Sequence, residues 1–390
     1  MTVLGCFRRF RGVATAAPIS LFFLLLLLLG SLIRAGGNRR LQRQQLLQEH
    51  ELCFEQDDNI LSVKEAVWKD LPAGTIAAQA TQSSSCPPLL GAHPYHGCCK
   101  NEVKRYNIPA HCNGLHELLT RLQNKRMCIL GDSLSFNTHQ VLIQQLLHSN
   151  INVTCSAEWH LCRLPEYNVE IDMKEFWYIM MPNETIDFAH DIPESEKLQV
   201  DIFRHLLTNC DSMMINMGMH FGRAHTYDWK KKEWISARGF TVQYLDVMLR
   251  LIRQELERDL KIHPEKTHFY RLTYPQHFNT KAAYPNAGDY WLGAYEKSIP
   301  LNCVEFAHRH WSDSLAQSLF RDSPIVVLDY YHPLSHSGFY HSVLNVPGHE
   351  DCTHYCFHQN LWEPLWGLIN YAFKLKELRK IGSKSVRLDK

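Results

Sequence analysis

The sequence predicts an α/β domain, a parallel sheet with helices on both faces, preceded by a single N-terminal transmembrane helix. Short apolar runs alternate with helix-period segments from residue 127 onward, which is typical of such a sheet. About 300 residues remain for the domain once the N-terminal segments are set aside, enough for a full core. A largely apolar stretch near the N terminus, with an unbroken leucine run at residues 24–29, predicts the transmembrane helix.

The apolar stretch covers residues 13–33 and has the length of a membrane-spanning helix. A basic segment at residues 8–11 precedes it and small residues follow at 35–37, so a cleavable signal peptide is the competing interpretation. We favour an uncleaved signal anchor because the stretch is longer than a usual signal-peptide core. Residues 1–12 would then be a cytoplasmic tail, and the chain a single-pass type II protein that contacts the membrane through this helix.

Cysteines and sequons indicate that the rest of the chain lies in the secretory lumen. Twelve of the 13 cysteines follow the apolar stretch, a high number for a reducing compartment. N-glycosylation sequons begin at Asn152 and Asn183, although two sequons can arise by chance in a chain of this length. The 41 basic and 40 acidic side chains nearly cancel, which argues against a nucleic-acid partner.

Composition divides the lumenal part into three segments. Residues 34–85 are rich first in Gln and Arg and later in Ala, Thr and Ser, which is typical of a stem or linker. Residues 86–380 are the predicted folded domain, which begins with a Cys-rich segment at 86–115. Residues 381–390 form a basic tail.

The Cys-rich segment superficially resembles a metal site, with possible ligands at His93, His96, Cys98 and Cys99. Structural zinc sites usually separate paired cysteines by about two to four residues. Thiols in an oxidising lumen more often form disulfides. We therefore predict disulfides in this segment and no metal.

Four apolar runs are predicted as strands, at residues 127–130, 213–215, 268–272 and 325–328. Four helix-period segments alternate with them or close the chain, at residues 134–147, 242–260, 306–320 and 361–378. Active residues in such folds gather beyond the carboxyl ends of the strands. Ser133, Asn216 and the turn after Leu328 fall there.

Ser133 is the candidate nucleophile, because it follows a strand and begins a helix whose free N–H groups favour developing negative charge. The alternative is that Asp132 and Ser133 only cap the helix. Asp351 and His354, three residues apart, can supply a base and the group that orients it. Their alternatives are a disulfide-stabilised turn with incidental charges, or a Cys/His metal cluster.

Two blocks resemble a known family. Residues 122–147 (LQNKRMCILGDSLSFNTHQVLIQQLL) resemble the nucleophile block of the GDSL/SGNH superfamily, of the PC-esterase type, and most closely that of the plant trichome birefringence-like polysaccharide O-acetyltransferases. Residues 351–369 (DCTHYCFHQNLWEPLWGLI) resemble that family's DCxHWC segment and the helix after it. The resemblance makes Ser133, Asp351 and His354 catalytic. Further matches with structural roles are Gly131, Asp132, Cys352 and Cys356.

Two intermediate blocks are also similar to the family. Residues 215–220 resemble its N-x-G-x-H block, which implies that Asn216 stabilises the oxyanion together with the backbone N–H of Ser133; a turn asparagine is the alternative. Residues 269–278 (FYRLTYPQHF) resemble its F-F-R-T-x-S-P-x-H-F block. The substrate side of the site would include Arg271, His277, Asn137 and His220, although the first two could instead hold their loop. The family usually has Arg close after the serine, where this chain has Phe136.

The resemblance implies a three-layer SGNH-hydrolase-like, flavodoxin-like fold in a Golgi membrane protein with its catalytic domain in the lumen. It also implies transfer of an acetyl group, through an acyl-serine, onto a carbohydrate or polysaccharide hydroxyl. The donor would be a co-substrate such as acetyl-CoA, with no tightly bound cofactor. The alternatives are an acetyl-esterase acting on glycans or lipids, and a non-catalytic glycan-binding protein of the same fold.

Overall fold

The structure, a computed structural model, describes residues 53–64, 112, 114–156, 160–176, 178–180, 197–219, 225–228, 233–236, 242–277, 303, 307, 309–335, 337, 341–343, 350–357 and 359–388. The strands in this part of the chain are β1 (Phe54–Asp57), β2 (Ile60–Val63), β3 (Arg126–Gly131), β4 (Thr154–Cys155), β5 (Leu161–Leu164), β6 (Val169–Glu175), β7 (Tyr178–Met180), β8 (Lys197–Gln199), β9 (Ser212–Asn216), β10 (His225–Asp228), β11 (Glu233–Ser236), β12 (Thr267–Arg271), β13 (Val326–Asp329), β14 (His341–Val343) and β15 (Glu350–Tyr355). The helices are α1 (Leu115–Arg121), α2 (Ser133–His148), α3 (Val200–Asn209), α4 (Val242–Ile262), α5 (Trp311–Phe320), α6 (Tyr331–Ser335) and α7 (Gln359–Leu388).

Nine of the described strands form one mixed, mostly parallel sheet in the order β1-β2-β13-β12-β9-β3-β6-β5-β4. The strands from β2 to β6 in this order are parallel, and antiparallel strands add to both edges. The parallel strands from β3 onward lie in the order 2-1-3-4-5, as in flavodoxin-like sheets. The chain reverses its direction of winding between β3 and β9, where such sheets bind ligands.

Helices cover the sheet through two sets of side chains. One buried cluster joins strand residues such as Leu130, Ile215 and Val327 to residues of α3, α4 and α5, among them Phe203 and Ile252. Alternate strand residues point to the opposite face, where α2 contacts β3 and β6, and α7 contacts β2 and β13. The predicted parallel α/β sheet with helices is confirmed, and the four predicted strands correspond to β3, β9, β12 and β13.

Two strands lie inside the segment that was predicted as a stem. β1 and β2 form an antiparallel pair, and β2 adds to the sheet parallel to β13. Cys53, which precedes β1, forms a disulfide with Cys112. These contacts make residues 54–63 part of the folded domain rather than of a linker. The sequence did not reveal them because a four-residue strand is too short to show a clear hydrophobic periodicity. Near the other end, α7 continues to Leu388, into the predicted basic tail.

Three further disulfides connect described residues: Cys128 with Cys210, Cys155 with Cys162, and Cys303 with Cys352. The Cys303–Cys352 disulfide joins β15 to the segment before α5. Among the described residues, no helix is long and apolar enough to cross a membrane. The predicted anchor at 13–33 and the segment at 93–99, for which disulfides and no metal were predicted, lie outside those residues, so both remain predictions.

Candidate active site

Ser133 lies at a sharp turn between β3 and α2. Gly131 ends the strand with a φ of 133°, and a Cβ there would lie 1.9 Å from the backbone oxygen of Asn216. Only glycine fits both the conformation and the space. Asp132 caps the helix, because its Oδ1 accepts from the N–H of Leu134 at 3.0 Å. The half-buried Ser133 hydroxyl is thereby presented at the amino end of a 16-residue helix.

His354 reaches this serine from β15. Its Nε2 lies 2.8 Å from the Ser133 Oγ, although the two residues are separated by 221 positions in the chain. The imidazole is buried, with 7% of its residue surface exposed. A nucleophile and a base within hydrogen-bond distance are the central requirement for nucleophilic catalysis by serine.

Asn137, one turn after Ser133 on α2, holds the strand that carries His354. Its Nδ2 donates to the Tyr355 carbonyl at 2.9 Å, and its Oδ1 accepts from the Tyr355 N–H at 3.0 Å. Both the serine and the backbone beside the histidine are therefore fixed to the same helix. Asn137 is buried, and the Tyr355 backbone occupies both ends of its amide, so this placement gives it a positioning role; the substrate contact stays a prediction.

Asp132 connects the serine turn to the loop after β9. Its Oδ2 accepts from the backbone N–H of Met219 at 3.4 Å. Burial raises the pKa of its carboxyl, while the charge of Arg271, the N–H groups of Leu134 and Met219, and His354 oppose that increase. The side chain is engaged in fixing the turn, the structural role predicted for it.

Asn216 ends β9 directly opposite Gly131. Its Nδ2 donates to the backbone oxygen of Arg271 at 2.9 Å and, in a longer contact, to the Thr273 Oγ1 at 3.5 Å, while its buried Oδ1 has no hydrogen-bond partner in the part of the chain that is described. The amide nitrogen therefore already faces two acceptors, one of them at the outer limit of a hydrogen bond. Its oxyanion role remains a prediction.

The match to a family model agrees with this geometry. Residues 114–358 match the model described as PC-Esterase: GDSL/SGNH-like Acyl-Esterase family found in Pmr5 and Cas1p. The match covers well over half of the 390 residues.

The chain belongs to the PC-esterase family.

The PC-esterase match includes the serine turn, the β9 and β12 blocks and the His354 segment, and it confirms the resemblance that these blocks predicted. No individually curated protein gives a significant match to the chain.

Arg271 of this PC-esterase lies inside the protein. Its side chain is fully buried, its guanidinium carbon lies 3.8 Å from the centre of the Tyr274 ring, and its Nη1 donates to the Leu272 carbonyl at 2.9 Å. The Tyr274 hydroxyl lies in turn 2.9 Å from the Thr138 Oγ1 on α2. Tyr274 thus joins the loop after β12 to α2, and Arg271 packs on Tyr274. The predicted substrate contact of Arg271 stays a prediction.

Asp313 supports the same loop. Its Oδ1 accepts from the Thr273 N–H at 2.9 Å. Burial raises the pKa of this carboxyl to about 8, against the opposing effects of the Thr273 N–H and of the Arg309 and Arg271 charges. Nothing in the sequence distinguishes Asp313 from the other carboxylates of a helix start, so it was not predicted.

His277 is also fully buried and contacts other residues of the protein. Its backbone N–H donates to the Cys352 carbonyl at 3.0 Å. Its ring contacts the Ser335 carbonyl and the ring of His341. This placement matches the loop-holding alternative. His341 was not singled out, because it is one of 23 histidines and belongs to none of the matching blocks.

The remaining predicted residues fall into two groups. Cys352 forms a disulfide with Cys303, Cys356 is also disulfide-bonded, and Asn152 is exposed, as a glycosylated residue must be. The backbone of Asp351 lies in β15, but its side chain, like the whole of His220 and Asn183, is outside the described residues. The orienting role of Asp351 stays a prediction.

Proposed function

We propose that this PC-esterase is an O-acetyltransferase that moves an acetyl group, through an acyl-enzyme on Ser133, onto a glycan or polysaccharide hydroxyl in the secretory pathway. The contact of 2.8 Å between His354 Nε2 and Ser133 Oγ carries the proposal. The position of Ser133 at the amino end of α2 adds to it, because this end favours the negative charge of a tetrahedral intermediate.

The proposed mechanism has two displacements. His354, oriented by Asp351, takes the Ser133 proton as Oγ attacks the acetyl carbonyl of a donor such as acetyl-CoA; the same proton then leaves with the thiol. The acceptor hydroxyl next gives its proton to His354 and attacks the acetyl-serine, and Ser133 regains a proton as it departs. The backbone N–H of Ser133 and the side-chain amide of Asn216 would stabilise both oxyanions.

The proposal includes a three-layer SGNH-type domain in the Golgi lumen, anchored by residues 13–33. The disulfides of the described part support an oxidising compartment. The exposed Asn152 is compatible with glycosylation there. No cofactor enters the mechanism, since every proton and acyl step is assigned to the serine, the histidine or a substrate.

A second candidate is an acetyl-esterase that acts on glycans or lipids, and the family's description as acyl-esterases favours it. The two candidates share the acyl-enzyme and differ in whether water or a hydroxyl takes the acetyl group. Free acetate identifies the esterase, and an acetylated sugar identifies the transferase.

The test is covalent acetylation of the full-length chain by acetyl-CoA or p-nitrophenyl acetate, followed by mass spectrometry of the Ser133 peptide. We expect acetyl on this peptide in the wild-type chain and in the control Ser149→Ala, which changes the serine at the other end of α2. Ser133→Ala should carry none, and His354→Gln should slow its formation. Equal labelling of the Ser133→Ala chain would overturn the assignment. Xylan and a set of oligosaccharides then serve as acceptors, with acetate measured in parallel.

A further inference from the structure

A cavity of about 300 Å³ lies at the edge of the sheet opposite Ser133. Its lining includes Leu61, Thr267 and Val326, which lie at or next to the first residues of β2, β12 and β13. The candidate active site lies at the other ends of the parallel strands. β12 alone has five residues, so it separates the two edges by about 13 Å. The cavity is therefore distinct from the candidate active site.

The inner part of the cavity is apolar. Leu61, Leu260 and Ala372 line it and are buried in the protein. Its mouth includes two exposed prolines, Pro264 after α4 and Pro324 before β13. The proline ring fixes its own backbone φ, so these edges of the mouth are restricted in conformation. Binding sites for small molecules are typically concave and mostly apolar in this way.

One face of α7 forms a wall that changes from apolar to basic. Ala372, Leu375, Lys376 and Arg379 all line the cavity, and their spacing places them on a single stripe of the helix. Ala372 is buried, Leu375 and Lys376 are half-buried, and Arg379 is exposed. The wall is thus apolar at its inner end and positively charged at its outer end.

The charged side chains of the cavity have one sign. Lys376 and Arg379 are basic, and none of the 13 described residues that line the cavity is acidic. Burial lowers the pKa of the His268 ring on β12, Asp259 opposes this decrease, and the charges of Lys266 and Lys376 add to it. The positive field of Lys376 therefore extends to the strand beside the cavity.

The simpler interpretation is that Lys376 and Arg379 only shield apolar surface with their aliphatic stems. The cavity of about 300 Å³ remains with both side chains in place, so their stems do not fill it. An apolar space beside two cations instead fits a molecule that has an apolar part and an anionic part.

We propose that this cavity binds a single-chain anionic lipid, with the acyl chain against Leu61, Leu260 and Ala372 and the anionic group at Lys376 and Arg379. Arginine binds carboxylate and phosphate through paired N–H groups. The volume lies at the lower end of small-molecule sites, which favours one chain over two. A fatty acid and a lysophospholipid share this chemistry. The site does not rest on the proposed acyl transfer.

Photo-crosslinking to the full-length chain tests the site. The chain is reconstituted in vesicles of phosphatidylcholine, which has no net charge, and three probes carry the same photoreactive acyl chain. One probe ends in a carboxylate, one in a glycerol phosphate and one in a neutral alcohol. We expect both anionic probes to label the peptides that contain Leu61, Val326 or Ala372. The alcohol should label them about fivefold less, since it lacks the ion pair.

Three variants separate the charge from the cavity. Arg379→Glu should reduce labelling by the anionic probes about fivefold and leave labelling by the alcohol unchanged. The matched control is Arg250→Glu, at an exposed arginine of α4 that does not line the cavity, and it should label like the wild type. Leu375→Trp should reduce labelling by all three probes because the larger ring occupies the space. Thermal unfolding checks that this variant is folded.

The outcomes distinguish the site, the ligand class and the lipid source. Absence of crosslinks on the lining peptides of the wild-type chain would overturn the site. Equal labelling by the alcohol and the anionic probes, or by Arg379→Glu and wild-type chains, would overturn the anionic class. Labelling by only one anionic probe would support the site and identify its headgroup.

The reactivity of Ser133 toward a fluorophosphonate is measured in the same chains, since this probe needs no knowledge of the natural substrate. It should be equal in wild-type and Arg379→Glu chains, because Arg379 lies at the other edge of the sheet. Absence of Ser133 labelling in the wild-type chain would count against the proposed function, and the crosslinks would still decide the lipid site.

Discussion

Asn137 bonds both backbone groups of Tyr355, at 2.9 and 3.0 Å, and so fixes the residue after His354 to the helix that begins with Ser133. The distance between base and nucleophile therefore depends on one amide, four residues from the serine. Asn137 and Tyr355 are 218 positions apart in the chain, so the catalytic contact depends on tertiary packing.

We expect Asn137→Ala to impair both stability and reactivity. It leaves a buried N–H and a buried carbonyl of Tyr355 without their partner, at a cost of about 1–3 kcal/mol for each unsatisfied group. Fluorophosphonate labelling of Ser133 should slow by about tenfold or more, because His354 loses its fixed distance. Asn209→Ala, at an exposed asparagine that ends α3, is the control and should leave both measurements near wild type. Unchanged labelling of Asn137→Ala would show that β15 keeps its position without the amide.

Gly131→Ala should destabilise the fold more than most single substitutions, by about 2–4 kcal/mol. The new Cβ would meet the Asn216 backbone oxygen at 1.9 Å and the Ser135 Oγ at 2.7 Å, in a backbone conformation with positive φ. Thermal unfolding measures the loss. Adding Ser135→Ala should not restore stability, because the backbone oxygen remains. Full rescue by that second change would mean that the serine hydroxyl is the main obstacle.

Asp313 should make the protein less stable as pH rises toward 8. Its folded-state pKa of about 8 lies above the unfolded value near 3.8, so the folded state binds the extra proton between those values. The contribution is fully present below about pH 4 and is lost as pH rises to about 8, with a slope of at most about 1.4 kcal/mol per pH unit. Asp132, whose pKa is also raised, contributes with the same sign.

Asp313→Asn tests this dependence, because the amide keeps an acceptor for the Thr273 N–H and does not titrate. Urea unfolding of both chains between pH 5 and 8 gives the free energy of unfolding as a function of pH. Its slope against pH should be shallower for the variant, by an amount that corresponds to about one bound proton. Equal slopes would mean that the Asp313 carboxyl is ionised throughout this range.

The Cys303–Cys352 disulfide should affect the active site as well as stability. It closes a separation of 49 residues and ends two positions before His354, whereas Cys155–Cys162 closes only 7 at the sheet edge. Replacing the first pair with serines should cost about 2–5 kcal/mol and slow Ser133 labelling. Replacing the second pair should cost less and leave labelling unchanged. Similar labelling in both double variants would show that the Cys303–Cys352 disulfide does not position β15.

The sequence predicted the strands with the longest apolar runs and missed the short ones. The runs at 127–130 and 213–215 became β3 and β9, because a strand buried on both faces must be apolar throughout. Residues 54–63 give no such signal, since they form two four-residue strands at the sheet edge whose place depends on pairing with β13. Their pairing partner lies more than 260 positions away, beyond the range of any local pattern.

Individual side chains also divide into what the sequence predicted and what it did not: their place near the site was predicted, and their contacts were not. Arg271, His277 and Asn137 were predicted at the substrate side because their blocks resemble a family's active-site blocks, yet each is buried in contacts with its own chain. A resemblance locates a residue near a site but does not show which way its side chain points. Burial and partners at that position depend on loops and strands that are distant in the sequence.

The sequence by itself determined the serine turn, because its backbone requirements are local: a glycine at positive φ, an aspartate cap and the first turn of a helix. It also determined the family, through blocks whose order and residues match. Only the tertiary structure decided that His354 reaches Ser133, that Asn137 holds the backbone of the residue after His354, and that the rings of His277 and His341 contact each other. Those contacts join residues 64 to 221 positions apart, and such distances are set by how the sheet and its helices pack.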